Sequence, residues 1–474
     1  MGSGVAATLG VWICVCAAWP GCATRASSLE TWSIMRARDT LALYVGGVRA
    51  GRMLASVEID SAAREIALVT HITVEAGAAG AAAMELIERR RFDSEGNLRS
   101  ALQTMTSAAG RSQWRLIPED GRWRYTVRTG GQTHAETIDV VRANLRSARA
   151  MRAALLSGAA RKGDRWLDTT FELTAGAHMI VETVCERRPD SAHGGHWVFV
   201  SADDVVKREE RWVLDRAGRT IAYEAPPLYR ALRDTGGSVA PADSAAPRRP
   251  LSEMFTVAGG LPGPGQRLGI RLDSTVRIHD SVRRWYESRG DTLLLRAAPD
   301  RCRAASDTAD AHAPYLASTA IMQVGHPDII AAAASIRERS RGRCDFIKNT
   351  VLHVYRTIEK RSVTTFSNAV ETLHAGFGDC GEHAALCAAL LRAGGVEARL
   401  VLGLVFMPSR GAYLYHAWVT ARAGQWLFAD PALGEYPATG GYIPLVIDDT
   451  GRDAVHLAAL FERLRIHSVP ARPK

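Results

Sequence analysis

Lysine is almost missing from this chain of 474 residues: only five of its 59 basic side chains are lysine. The formal net charge of +9 is therefore carried by arginine in a composition also rich in alanine and glycine. No Lys/Arg cluster with interleaved aromatics accompanies that charge, so nucleic acid is not an expected partner. Arg89-Arg90-Arg91 stands isolated and reads as a solvated strand face or turn. Cysteine is also scarce. Of eight, Cys14, Cys16 and Cys22 fall in the first stretch, leaving Cys185, Cys302, Cys344, Cys380 and Cys387. That excludes a disulfide framework; Cys302 with Cys344 is the one structural pair worth considering. The glycine-rich stretch Val257 to Gly265 lacks a following Lys-Ser/Thr, which excludes a phosphate loop and leaves a turn cluster. No fixed-period repeat is present. With 47% hydrophobic and 23% charged residues the balance is that of an ordinary globular protein, long enough for two or three domains.

Charge is absent altogether from the first 24 residues, and Val5 to Ala18 is mostly apolar. The run is short for a membrane span and suits the core of a secretory signal, although the usual leading Lys or Arg is missing. Gly21-Cys22 resembles the end of a bacterial lipoprotein box, and Gly21-Cys22-Ala23 also passes as an ordinary small-x-small cleavage site. The expectation is an exported protein of the cell envelope or periplasm, with possible membrane association through a lipid anchor at Cys22. No later apolar run is long enough to span a bilayer.

Strand-like alternation dominates the first half. Runs at Leu41 to Tyr44, Val48 to Ile59, Glu65 to Val74, Met84 to Phe92, Leu98 to Thr104, Ser112 to Ile117, Trp123 to Arg128 and His134 to Val141 are separated by turn residues, the spacing of an antiparallel meander. A helical pattern at Leu145 to Ser157 interrupts them. Strands then resume, including one read over Val205 to Leu214. Thr235 to Pro250 is rich in Gly, Ala, Ser and Pro and reads as a linker. The organisation expected is a signal over 1–24, a β-rich region over 30–234, a linker over 235–250, a β-containing connecting region over 251–314 and a final domain over 315–474.

That final domain carries the chemistry. Cys380 lies in Gly378-Asp379-Cys380-Gly381-Glu382-His383, a loop that runs into the apolar helical stretch Ala384 to Leu391, so the thiol falls at a helix start where unpaired N–H groups favour a thiolate. His416 lies in Tyr415-His416-Ala417-Trp418 on a segment of aromatic and β-branched residues, and Asp430 precedes Pro431 after the short apolar run Trp426 to Phe428. A histidine takes the proton from a cysteine, and a carboxylate fixes the imidazole. The three residues read as a catalytic triad. Around them, Cys387 reads as a buried hydrophobe and Trp418 as a core aromatic or a channel wall. His374 is a tempting oxyanion donor, with the backbone N–H of Cys380 as another.

The stretch GDCGEHAALCAALLRAGGVEARLVLGLVF, followed by YHAWV and QWLFADPA, resembles the core of the transglutaminase-like superfamily between about Ser340 and Pro444. Papain's own signature around the cysteine is absent. The resemblance implies an α+β catalytic domain with a papain-like active-site arrangement, Cys380 as nucleophile, His416 as base and Asp430 as its orienting group. It also implies acyl transfer from a thioester to water or to an amine, on a peptide or protein substrate, with no metal or organic cofactor. Two other readings compete: a noncatalytic envelope protein that binds a peptide in the old cleft, and a zinc domain using Cys380, His383 and Cys387. Substrate identity and oligomeric state are not legible.

Overall fold

In the computed structural model, the residues described are 32–33, 35–45, 47–75, 83–107, 110–129, 132–139, 141–189, 195–205, 207, 209–225, 229–233, 256–303, 313–361 and 368–471. The expected signal with Cys22, the linker over 235–250 and most of the weak stretch over 304–314 lie outside them. The chain divides mainly at Met254/Phe255 into two compact units, and its architecture is α+β.

The first unit is built on a 14-stranded antiparallel sheet. Strands β1 (Ala37–Val45), β2 (Val48–Asp60), β3 (Glu65–Val74), β4 (Met84–Asp93), β5 (Leu98–Ser107), β6 (Gly110–Glu119), β7 (Arg122–Thr129) and β8 (Gln132–Ile138) form a first meander. After helix α1 (Arg146–Leu156), a second meander comprises β9 (Arg165–Glu172), β10 (Ala177–Arg187), β11 (Trp197–Asp203), β12 (Glu210–Leu214), β13 (Thr220–Ala225) and β14 (Tyr229–Arg233). The pairing of β1 with β14 joins the two. Strict alternation explains the burial: in β4, Met84, Leu86, Glu88, Arg90 and Phe92 point inward and their neighbours point outward. Arg90 is thus buried in the strand interior rather than solvated, while Arg89 and Arg91 pair on the outer face with Glu58 and Glu65. The core gathers Trp32, Phe92, Tyr125 and Phe171 with aliphatic neighbours. The strand read over Val205 to Leu214 is shorter, because Asp203 accepts a hydrogen bond from the Val205 N–H at 2.8 Å and Lys207 adopts φ 52°, making a turn before β12.

The second unit comprises β15 (Thr256–Ala258), β16 (Gln266–Leu272), β17 (Tyr286–Arg289), β18 (Thr292–Leu295), α2 (Pro327–Glu338), α3 (Arg343–Thr357), β19 (Glu359–Lys360), α4 (Ala369–Ala375), β20 (Phe377–Gly378), α5 (Cys380–Ala393), β21 (Ala398–Met407), β22 (Ala412–Ala423), β23 (Gln425–Ala429), β24 (Tyr442–Ile447), α6 (Ala454–Leu460) and β25 (Leu464–Pro470). Helix α5 is apolar on nearly every side and is buried from Gly381 to Arg392, as a central helix must be. It packs against α2, α3 and α4 and against β21 and β22. The sheet runs β15-β22-β21-β24, with β23 pairing the later half of β22 while β15 pairs its start.

Residues 256–303, within the stretch expected as a β-containing connecting region, contribute strands to this unit. β15 adds to β22, and β16 pairs with β25 at the far end of the chain, Ile270 opposite Ile466. Pairing across so long a separation leaves no trace in local periodicity. Cys302 and Cys344 form a disulfide with Cα atoms 5.8 Å apart, fastening the chain after β18 to the start of α3. Among the described residues, no helix is long and apolar enough to cross a membrane.

Candidate active site

Cys380 occupies the first turn of α5, and a reciprocal capping box holds it there. The Asp379 carboxylate accepts from the Gly381 N–H at 2.8 Å and from the N–H of Glu382, while the Glu382 carboxylate accepts from the Asp379 N–H at 3.0 Å. The Asp-x-x-Glu spacing was a legible signal that the sequence reading left unused. The preceding loop is clamped as well. β19 and β20 pair in parallel, and the N–H groups of Glu359 and Arg361 reach the carbonyls of Gly376 and Gly378 at 2.8 and 2.9 Å. Gly378 has no room for a side chain, since a Cβ there would lie 2.5 Å from the Cβ of Glu382. Cys380 as a residue is half-buried.

His416 projects from the middle of β22, opposite Gly403 of β21. A Cβ on Gly403 would meet the Ile443 carbonyl at 2.1 Å and the Trp418 ring at 2.7 Å, so only glycine lets β24 and Trp418 close around this point. Trp418 is fully buried and packs edge-on to Phe428 and Tyr442, which makes it core. Asp430 follows β23 and is fully buried. Its Oδ1 accepts from the N–H groups of Ala432 and Leu433 at 2.8 and 2.9 Å. Its Oδ2 accepts from the Tyr442 hydroxyl at 2.8 Å and lies 2.7 Å from Nε2 of His416.

The fold therefore brings Cys380, His416 and Asp430 together. With Nε2 engaged by Asp430, Nδ1 is the His416 nitrogen left to act on the Cys380 thiol. Burial alone would strip the proton from His416, but the charges of Asp430 and Cys380 and their hydrogen bonds push its pKa up to about 10. Burial opposes a charged Cys380, and so does Asp379, whereas the charge of His416 beside it favours the thiolate. Asp430 stays below the usual carboxylate range despite burial, because His416, the Leu433 N–H and the Tyr442 hydroxyl all favour its charge. The arrangement favours a thiolate beside an imidazolium.

Tyr442 is the residue that sequence reasoning missed. Its hydroxyl also lies 3.0 Å from the Glu435 carboxylate, and burial together with these two carboxylates pushes its pKa well up, so it stays a donor. It reaches Asp430 from a different strand, so no short motif announced it. The other singled-out residues lie elsewhere. Both ring nitrogens of His383 face backbone carbonyls, Asp379 at 2.6 Å and Ile358 at 3.2 Å. Cys387 is fully buried, and burial drives its thiol far above the ordinary range. These two do not gather with Cys380 into a ligand set, so the zinc reading falls. His374 is exposed and pairs with Asp328 at 2.7 Å, which removes it from consideration as an oxyanion donor.

Residues 318–431 match the model of the transglutaminase-like superfamily. The second unit carries a transglutaminase-like core. A comparison with curated proteins found no match. Among solved structures, the chain is similar to a putative cysteine protease from Cytophaga hutchinsonii, at 16% identity over 45% of this chain and 80% of that one, with a TM-score of 0.29. It is also similar to a β-barrel-like protein of a domain of unknown function, DUF1849, from Brucella abortus, at 14% identity over 41% and 94% of the two chains, with a TM-score of 0.30. A DUF1089 family protein from Pseudomonas aeruginosa aligns at 14% identity over 44% and 96%, with a TM-score of 0.22. Those scores are too low to carry a functional inference. What the superfamily match adds to the geometry is a papain-like architecture for the core.

Proposed function

We propose that the second unit is a cysteine-dependent acyl-transfer enzyme acting on peptide or protein amides. The observation that carries this reading is a cysteine at a helix start whose thiol interacts with a histidine, the Nε2 of which lies 2.7 Å from a fully buried aspartate. The Cys380 sulfur attacks the amide carbonyl carbon, and the Cys380 N–H, a first-turn amide beyond the reach of any intrahelical carbonyl, faces the developing oxyanion. As the C–N bond breaks, His416 gives its proton to the leaving amine and a thioester remains on Cys380. Water or a primary amine then attacks the thioester. His416 takes a proton from that acceptor, the C–S bond breaks and the thiolate–imidazolium pair is restored. Asp430 holds the imidazole and stabilises its charge throughout.

The disulfide between Cys302 and Cys344 supports an oxidising compartment. With the uncharged apolar leader, it favours export to the envelope or periplasm and an anchor at Cys22. Recovery of the protein with an intact amino terminus from the cytoplasm would defeat that part. The chemistry is tested by incubating the protein with a peptide library, with and without an added primary amine, and analysing products by mass. Hydrolysis products alone define a peptidase or amidase, and amine adducts define a transamidase. An unchanged library together with an inert Cys380 would leave a peptide-binding cleft.

A further inference from the structure

At the end of β24 away from Tyr442, three metal-ligating side chains from two distant stretches of chain meet. His279 immediately precedes the 3-10 turn Asp280–Trp285, Asp453 immediately precedes α6, and His456 lies in the first turns of that helix. One ligand atom from each lies within 4.8 Å of the others, and the three side chains are half-buried. The two imidazole rings are 4.8 Å apart between centroids and tilted by 40°.

The surroundings hold both stretches in place. The Ser281 hydroxyl accepts from the Ile447 N–H at 2.9 Å, pinning the 3-10 turn to the end of β24. On the other side Asp448 organises the loop: its Oδ1 accepts from the N–H groups of Thr450 and Gly451 at 3.0 and 2.8 Å, and its Oδ2 from the Ala454 N–H at 2.8 Å. Asp448 thus serves the start of α6. Asp453, which occupies the capping position, makes no side-chain cap bond, so its carboxylate is spared for another partner beside the two histidines.

We propose that His279, Asp453 and His456 bind a divalent transition-metal ion of the zinc type. Two imidazole nitrogens and one carboxylate oxygen are a donor set that zinc favours, and the half-exposed setting leaves its remaining position to water. Nδ1 of His279 lies 2.7 Å from the Ser281 hydroxyl and accepts from the Ser281 N–H at 3.4 Å; binding of the ion at Nε2 moves the ring proton to Nδ1, where the Ser281 hydroxyl accepts it and, as outer partner, orients the ring. Zinc bonds of about 2.0–2.1 Å put tetrahedral ligand atoms roughly 3.4 Å apart, so the side chains close by roughly an ångström on binding. The ion ties the turn before β17 to the loop before α6. It is a clamp on the sheet that carries His416, takes no part in the chemistry at Cys380, and does not depend on that chemistry being correct.

The test uses the full chain freed of metal by a chelator and titrated with zinc alone, in the wild-type protein and in Cys380→Ser, which removes the competing thiolate. The expected result is one zinc per chain in both, an X-ray absorption spectrum with nitrogen and oxygen but no sulfur neighbours, and a rise in melting temperature with zinc. Asp453→Asn and His456→Gln each weaken binding by at least about tenfold and abolish the rise, with Cys380 alkylation unchanged. His279→Gln, on a separate segment, repeats the loss should a change near α6 fail to fold. The proposal is overturned by absence of saturable binding at micromolar zinc, by sulfur in the metal's shell, by binding that vanishes in Cys380→Ser, or by full binding in the variant lacking all three ligands.

Discussion

Arg90 in the first unit and His416 in the second are both cations held in the interior beside carboxylates, yet the two clusters are built differently. Arg90 is bonded to Glu88, donates to the Thr170 hydroxyl and the Phe171 carbonyl at 2.9 Å each, and lies 4.0 Å from Glu172. Burial works against its charge, but Glu88 and Glu172 hold its pKa up, and a guanidinium does not give up its proton in any working range. Those partners are carboxylates, a hydroxyl and a backbone carbonyl, with no thiol among them. His416 carries a proton that it can give up, its pKa pushed up to about 10, and it interacts with the thiol of the half-buried Cys380. The contrast extends to the cysteines: burial pushes Cys185 up to about 11, whereas Cys380 is drawn down. Buried charge alone therefore does not mark chemistry. An exchangeable proton beside an accessible nucleophile does.

The sharpest way to break the comparison is at the second cluster. Cys380→Ser and His416→Ala should each lower turnover by at least about a thousandfold, and the double variant should be scarcely worse than either, because the two act as one unit. Kinetics on the peptide identified by product analysis check this, with Cys387→Ser retaining most activity. At the first cluster, Arg90→Met strands Glu88 and Glu172 without a cation and should cost about 3–5 kcal/mol in denaturant unfolding. Alkylation of Cys380 in the folded fraction should be unchanged; a matching fall in that rate would show that the clusters are not separate in role.

Smaller effects sharpen the account of His416. Tyr442→Phe removes one donor from Asp430, which should raise the Asp430 pKa, lower that of His416 and cost roughly tenfold in rate, since hydrogen bonds to charged groups contribute about 1.5–3 kcal/mol. The basic limb of the pH–rate profile should move toward neutrality, a change that loss of packing alone would not produce. The smallest expected change is an increase: Asp379→Asn keeps a good helix cap but deletes a charge that opposes the thiolate. Alkylation of Cys380 on the acid side of neutrality should rise by roughly two- to threefold, the scale of a few tenths of a pKa unit.

How much of this was legible follows from how far each feature reaches along the chain. The meander of the first unit was readable because its strands pair with sequence neighbours, as β3 does with β2 and β4. The pairing of β15 and β16 was not readable because their partners include Tyr413 and Ile466, far along the chain. Local motifs pointed to Cys380, His416 and Asp430, while Tyr442 and Gly403 acquire their meaning only when β24 and β22 flank β21. Arg90 was misread for a related reason: three consecutive arginines look solvated until the period of two turns the middle one inward.

The most direct test of the central claim is the rate of Cys380 alkylation by iodoacetamide as a function of pH, in wild type and in His416→Ala, with the modified residue located by peptide mapping. A thiolate held by His416 predicts labelling confined to Cys380 at neutral pH, with an ionisation below the roughly 8.5 of a free thiol. His416→Ala should move that ionisation upward, because the cation that favours the thiolate is lost while burial and Asp379 continue to oppose it. Superimposable profiles for the two proteins, or a wild-type Cys380 that ionises no lower than free cysteine, would contradict the account.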